Sequence, residues 1–232
     1  MMASRRAPDP PTPPVPSAPP VPSAKVKRLI AEAMAAYGAG DARKAEAGLR
    51  QAARLKPFFP PAAYNLAVLL RREGRAADAV RALETVVERA PDYLAAWIEL
   101  ALARQETRAT AGARAAADRA LALAPSDGDA RRAAAGAAFA DGDWRAAADH
   151  SAALAAPGPE DRLLHARALL ECGEKQAAQE ELHALATSEP ARIPDILKVL
   201  THRGSGGFPL DERRLMAALG LDTQSAERPP TR

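Results

Sequence analysis

PPAAYNLAVLLRREGRAADAVRALETVVERAPDY, residues 60–93, is the stretch on which the fold turns. It is 34 residues long, enough for two short helices and two turns, and its landmarks return at that interval along the chain. Pro57, Pro91 and Pro125 stand 34 residues apart. Gly40 and Gly74 share the spacing, and Gly142 falls on the same grid two periods later, with Arg108 in the slot between. Read with that ruler, the chain divides into helix pairs at 26–59, 60–93, 94–127, 128–157 and 159–190. The fourth is cut short by Ala156-Pro157-Gly158-Pro159. A fixed period of this size signals a solenoid, in which each unit packs only on its neighbours.

Inside the units the spacing has a mechanical reason. The first helix of each carries an alanine at Ala33, Ala67, Ala101, Ala135 and Ala166; the second carries one at Ala45, Ala79, Ala113, Ala147 and Ala178. Small residues at one site on each helix let two backbones approach, while bulkier neighbours lock into the grooves. Leu29, Leu66, Trp97 and Leu100 serve that role on first helices. Leu49, Leu83, Val86, Leu154, Leu182 and Leu185 serve it on second helices. A closing proline after the second helix cannot continue the ladder and stops it. Two irregularities mark the fourth unit: Gly136 in mid-helix, expected to cost about 1 kcal/mol relative to alanine, and Ser151 at a position of larger apolar residues.

This pattern resembles the tetratricopeptide repeat family. The match is closest in Tyr64-Asn65-Leu66-Ala67, Glu73-Gly74-Arg75, Ala79, Leu83 and Ala90-Pro91-Asp92, and it spans residues 26–190. The resemblance implies an all-α, right-handed α-solenoid of about five units, 25–190, followed by capping helices over 191–220. The cap is expected as Ile193 to His202 and Leu210 to Leu219. Residues 1–24 hold nine prolines, which lack the amide donor and fix φ, so a disordered head is expected there. A disordered tail is expected over 221–232.

Composition agrees and removes several classes. Of 232 residues 47% are hydrophobic but only 4% aromatic, and about a quarter are alanine, too few β-formers for a substantial sheet. No apolar run is long enough to span a bilayer. The first residues lead into prolines rather than an apolar signal segment. The single Cys172 can form no internal disulfide, which points to the cytoplasm. A net charge of +3 is a poor electrostatic footprint for nucleic acid. The four histidines fall in different helices without metal-ligand spacing, no base stands beside Cys172, and no phosphate-binding loop follows a strand, so neither enzyme chemistry, metal nor cofactor is expected.

What the resemblance implies instead is a concave groove lined by first helices and open to a partner protein. In this sequence the stripe carries Ile30, Met34 and Tyr37, then Tyr64, Asn65, Val68, Arg71 and Arg72. It continues with Ile98, Glu99, Leu102 and Gln105, then Arg132 and Phe139, and ends with Leu163, Arg167 and Leu170. Apolar anchors with interspersed arginines suit a peptide or helix bearing some acidic groups. The family's chaperone-docking carboxylate clamp is not expected, because Ile30 and Met34 stand where its lysine and asparagine belong, and Ala95 and Glu99 where cations belong. Two other classes stay open: an accessory subunit of a transferase or other enzyme system, and an RNA-binding helical repeat. Against the second, Ile30, Tyr64, Ile98, Arg132 and Leu163 are poor base readers.

Overall fold

The computed structural model describes residues 22–55 and 58–201. Eleven α-helices follow one another there without a strand. They are α1 (Ala24–Gly38) and α2 (Ala42–Arg54), α3 (Pro60–Arg72) and α4 (Ala76–Arg89), α5 (Leu94–Glu106) and α6 (Thr110–Leu123), α7 (Gly128–Asp141) and α8 (Trp144–Ala152), α9 (Pro159–Glu171) and α10 (Lys175–Ser188). A 3₁₀ turn, Pro190–Arg192, leads into α11 (Ile193–Thr201). Each helix packs on the one before and the one after, so the molecule is an α-solenoid of five hairpins.

One turn, used five times, makes the hairpins. Gly40, Gly74, Gly142 and Gly173 have φ between 73° and 83°, and Arg108 has φ 58°. After each of them the next amide bonds back five residues into the first helix. Asp41 N–H donates to Ala36 O at 2.9 Å, Arg75 to Leu70 at 2.9 Å, Ala109 to Arg104 at 2.8 Å, Asp143 to Ala138 at 2.9 Å and Glu174 to Leu169 at 2.9 Å. This left-handed closure satisfies carbonyls that a helix end leaves orphaned. Arg108 adopts it against the steric preference of an L-residue. Helix starts are fixed by side chains where the sequence supplies them. Ser23, Asp41, Asp127 and Asp143 each accept the amide three residues on, at 3.3, 2.9, 2.8 and 3.1 Å. Pro60 and Pro159 occupy first helical positions, where no amide is needed.

The ten alanines form the spine of the array. Ala33 is 2% exposed, and the other nine are 0% or 1%. Leu49, Leu83, Leu100, Leu182 and Leu185 fill the remaining volume. Trp97 stays half-buried and donates its indole N–H to Pro91 O at 2.8 Å, tying α5 to the turn before it. In the short fourth hairpin α8 has nine residues, against thirteen or fourteen in α2, α4, α6 and α10. Leu154, just past its end, is buried in compensation. Ser151 is buried with its hydroxyl donating to Ala147 O at 2.7 Å, so the small polar residue is satisfied locally. Gly136 has a reason the sequence did not show. A Cβ there would lie 3.1 Å from Gln105 Oε1, so the bare backbone of α7 makes room for an amide reaching over from α5.

At the far end α11 lies against α9 and α10, burying Ile196 and Leu200 in the core of the last hairpin. Among the described residues, α11 therefore covers the last hairpin. The second expected capping helix, Leu210 to Leu219, falls outside the described residues, as do nearly all of the proline-rich head and the whole 221–232 tail.

Candidate functional site: the face of the first helices

First helices also touch each other across hairpins: α3 packs on α5, α5 on α7 and α7 on α9. Second helices pack mainly on the first helices to either side. The array is thus tighter along the first-helix layer.

The expected stripe separates into three groups on this face. The accessible apolar residues come from the first three hairpins. Met34 is 49% exposed, the one exposed large hydrophobic residue among the described residues, and Val68 and Leu102 are half-buried at the equivalent places of α3 and α5. Ile30, Tyr37, Tyr64 and Ile98 are partly buried, each with one side packed on the core. Asn65 is partly buried and Arg72 exposed.

A second group is already engaged inside the molecule. Arg71 donates from Nε to Glu99 at 2.5 Å and from Nη1 to Glu106 at 2.7 Å, joining α3 to α5. Glu99 is only 7% exposed, so this carboxylate belongs to the wall rather than to the groove's open surface. Burial works against the Arg71 charge, but the hydrogen bonds to Glu99 and Glu106 outweigh it and raise the guanidinium's pKa. Arg132 donates to Asp161 and Asp129, both at 2.9 Å, and to Ala156 O at 3.3 Å. Gln105 donates to Ala133 O at 3.4 Å. Arg167 lies 4.7 Å over the ring of Phe139, which meets Trp144 edge-on at 4.9 Å.

The third group is not on the surface. Leu163 and Leu170 are buried, 7% and 8% exposed, in the cluster that also holds α11 residues Ile196 and Leu200. They were expected in the groove because the spacing places them there. The cap helix belongs to no repeat, and the 34-residue grid carries no sign of what it covers.

Sequence reasoning missed the partners. Tyr93 packs edge-on against Tyr64 with ring centroids 5.4 Å apart. Burial raises the pKa of both phenols, that of Tyr64 further through the Glu99 charge, so both stay neutral and apolar in character. Glu106 and Asp161 complete the arginine pairs. For Tyr93 and Asp161 the signal that could have found them is a recurrent offset; Glu106, 35 residues from Arg71, lies off it. Tyr64 to Tyr93, Arg132 to Asp161, Arg114 to Asp143 and Glu46 to Arg75 are all 29 residues apart.

Among the described residues no buried side-chain nitrogen or oxygen lacks a hydrogen-bond partner, and no three ligating side chains gather as a metal site. No helix there is long and apolar enough to cross a membrane.

The tetratricopeptide repeat family model matches residues 30–93 and again 64–128, one repeat out of step with itself. Residues 30–128 of the chain are tetratricopeptide repeats. Solved structures of the same class extend the likeness beyond the matched segment. MamA from Desulfovibrio magneticus RS-1 superposes with a TM-score of 0.66 at 16% identity, over 75% of this chain and 99% of its own. A tetratricopeptide repeat protein from Parabacteroides merdae gives 0.66 at 16% identity, over 87% and 76%. PilW, described as a type IV pilus biogenesis factor, gives 0.66 at 20% identity, over 77% and 84%. Identities this low establish the solenoid and carry nothing about partners. No curated protein sequence matches the chain. Tetratricopeptide repeat proteins are in general non-catalytic interaction scaffolds, and this one has the scaffold.

Proposed function

We propose that the chain is an adaptor whose concave face holds an apolar helix or extended segment of a partner protein on the row Met34, Val68 and Leu102. The supporting observation is that these three residues occupy the same place on successive first helices, with Met34 half exposed. Neighbouring helices lie about 8–10 Å apart. Such a row matches residues i, i+7 and i+14 of a helix, about 10.5 Å apart, or every third residue of a polyproline-type extended segment, about 9 Å apart. Acidic groups on the partner matter less than the charge pattern of the sequence suggests, because Arg71 and Arg132 already hold carboxylates of this chain. Arg72 is the cation of that group left to steer an encounter. A single, partly exposed cysteine suits a reducing compartment, so the cytoplasm is the compartment we assign.

Val68→Asp with Leu102→Asp should reduce capture of the native partner at least tenfold in an affinity pull-down read by mass spectrometry, with the helical circular dichroism retained. Arg72→Glu should change the salt dependence more than the yield. If the double aspartate variant recovers the same proteins as the unaltered chain, the concave-face reading fails. If Arg72→Glu dominates and nucleic acid co-purifies with a steep salt dependence, RNA is the ligand.

A further inference from the structure

A cleft of about 380 Å³ lies between the end of α2, α3 and α4, lined by Ala53, Arg54, Leu55, Phe58, Ala63, Leu66, Ala82, Thr85 and Arg89. Two second helices and α3 form it, and none of Met34, Val68 and Leu102 lines it. Its chemistry is one-sided. The floor is apolar, and the charged side chains that the described residues place on its wall are two guanidiniums, Arg54 and Arg89, with no ion pair to any described residue. Arg89 lies 4.9 Å over the Phe58 ring. Among the described residues, no carboxylate or side-chain amide lines the cleft. It therefore asks for an occupant that brings apolar surface and hydrogen-bond acceptors but few donors.

We propose that the cleft is occupied by the chain's own proline-rich head, residues 8–22. That segment is PDPPTPPVPSAPPVP, nine prolines in fifteen residues. Proline keeps its carbonyl acceptor and lacks the amide donor, which is the complement of a cleft walled by two arginines. Its ring packs on aromatic faces, the basis of recognition of proline-rich segments by aromatic-lined grooves. The head is also delivered to the right end of the molecule. It enters α1 through Pro22 and Ser23, and Leu29 of α1 packs with Ala52 of α2 and Ala62 of α3. The wall residues Ala53, Arg54 and Leu55 follow Ala52 directly. Fifteen residues in an extended polyproline form reach about 45 Å, several helix widths. Tethering raises the effective concentration to the millimolar range, so a contact weak in solution is populated within the chain. The restricted backbone loses little entropy on docking.

The test uses the full chain with ¹³C-labelled alanine methyls. Deleting residues 1–21 should move the methyl resonances of Ala53, Ala63 and Ala82 while leaving those of Ala137 and Ala186 in place. Adding a synthetic peptide of residues 8–22 to the shortened chain should return the three methyls towards their full-length positions. In the full chain, Arg54→Glu with Arg89→Glu, both exposed and expected to fold, should reproduce the spectrum of the deletion at those methyls. Unmoved methyls on deletion would overturn the proposal. So would a peptide that perturbs the first-helix face instead of the cleft. A shift pattern that appears only as protein concentration rises would overturn it too, because the head would then be entering a second copy.

Discussion

Arg108 occupies the turn slot that is glycine in the other four hairpins, at φ 58°. A side chain in the left-handed region costs about 1–2 kcal/mol relative to glycine. Arg108→Gly should therefore raise stability by about 1 kcal/mol in urea unfolding, with an unchanged denaturant slope. The sequence marked this residue as an exception to a grid, and the structure gives the exception a backbone angle. His150 on α8 supplies a pH dependence. Burial, helped by the nearby Arg114 charge, lowers its pKa, so the folded protein holds it neutral. The unfolded chain then binds the proton more readily, and stability falls as pH drops through the ordinary histidine range, about 6.5, towards the lowered folded value. His150→Gln should flatten the melting temperature between about pH 7 and pH 5. Asp143, held low by the Ala146 amide and Arg114, acts in the same direction further down, below about pH 4.

For the helices, the ten alanines are the part of the fold most legible in the sequence, since a contact too close for any other side chain leaves a periodic trace. Ala67→Leu or Ala79→Leu inserts bulk where exposure is 0%, and overpacking of this kind costs about 1–3 kcal/mol. The loss should appear as a lower urea midpoint, and a midpoint equal to that of the unaltered chain would mean the helix register is wrong. Gly136 shows where such reading stops. Helix propensity alone says alanine is better there by about 1 kcal/mol, but the new methyl would press on the Gln105 amide at 3.1 Å. Gly136→Ala should therefore gain less than propensity promises. Leu163 and Leu170 show a second limit. A periodic rule assigns them to an open face, yet a non-repeating helix, α11, packs there and they are buried with it. The fold is written in short-range spacing; the accessible part of the groove also depends on which side chains meet across units.

Over the whole molecule, Arg71 is the residue whose meaning changes most between sequence and structure. On a helical wheel it is a groove cation; in the solenoid it compensates Glu99, which is 7% exposed. Arg71→Ala would leave that carboxylate without its partner, at a cost on the order of 1–3 kcal/mol. Arg71→Glu should destabilise further through repulsion from Glu99 and Glu106. Arg72→Glu, on the same turn but exposed, should leave the unfolding midpoint within about 0.5 kcal/mol of the parent. Chemical denaturation of the three variants separates a structural arginine from a surface one before any partner is known.

The junctions between hairpins also constrain how such an array can change length. At one junction Glu46 of the first hairpin meets Arg75 of the second. At another Arg114 of the third meets Asp143 of the fourth, from the same places with the signs exchanged. An in-frame loss of the second and third hairpins would keep every alanine in phase and still bring Glu46 opposite Asp143, two like charges where an ion pair belongs. Duplications and deletions by whole periods are the natural mutational steps of a repetitive gene. In this chain the electrostatic seams give its modules a reading order, so that a recombined array would be penalised at its joints even though each module still folds in the same way.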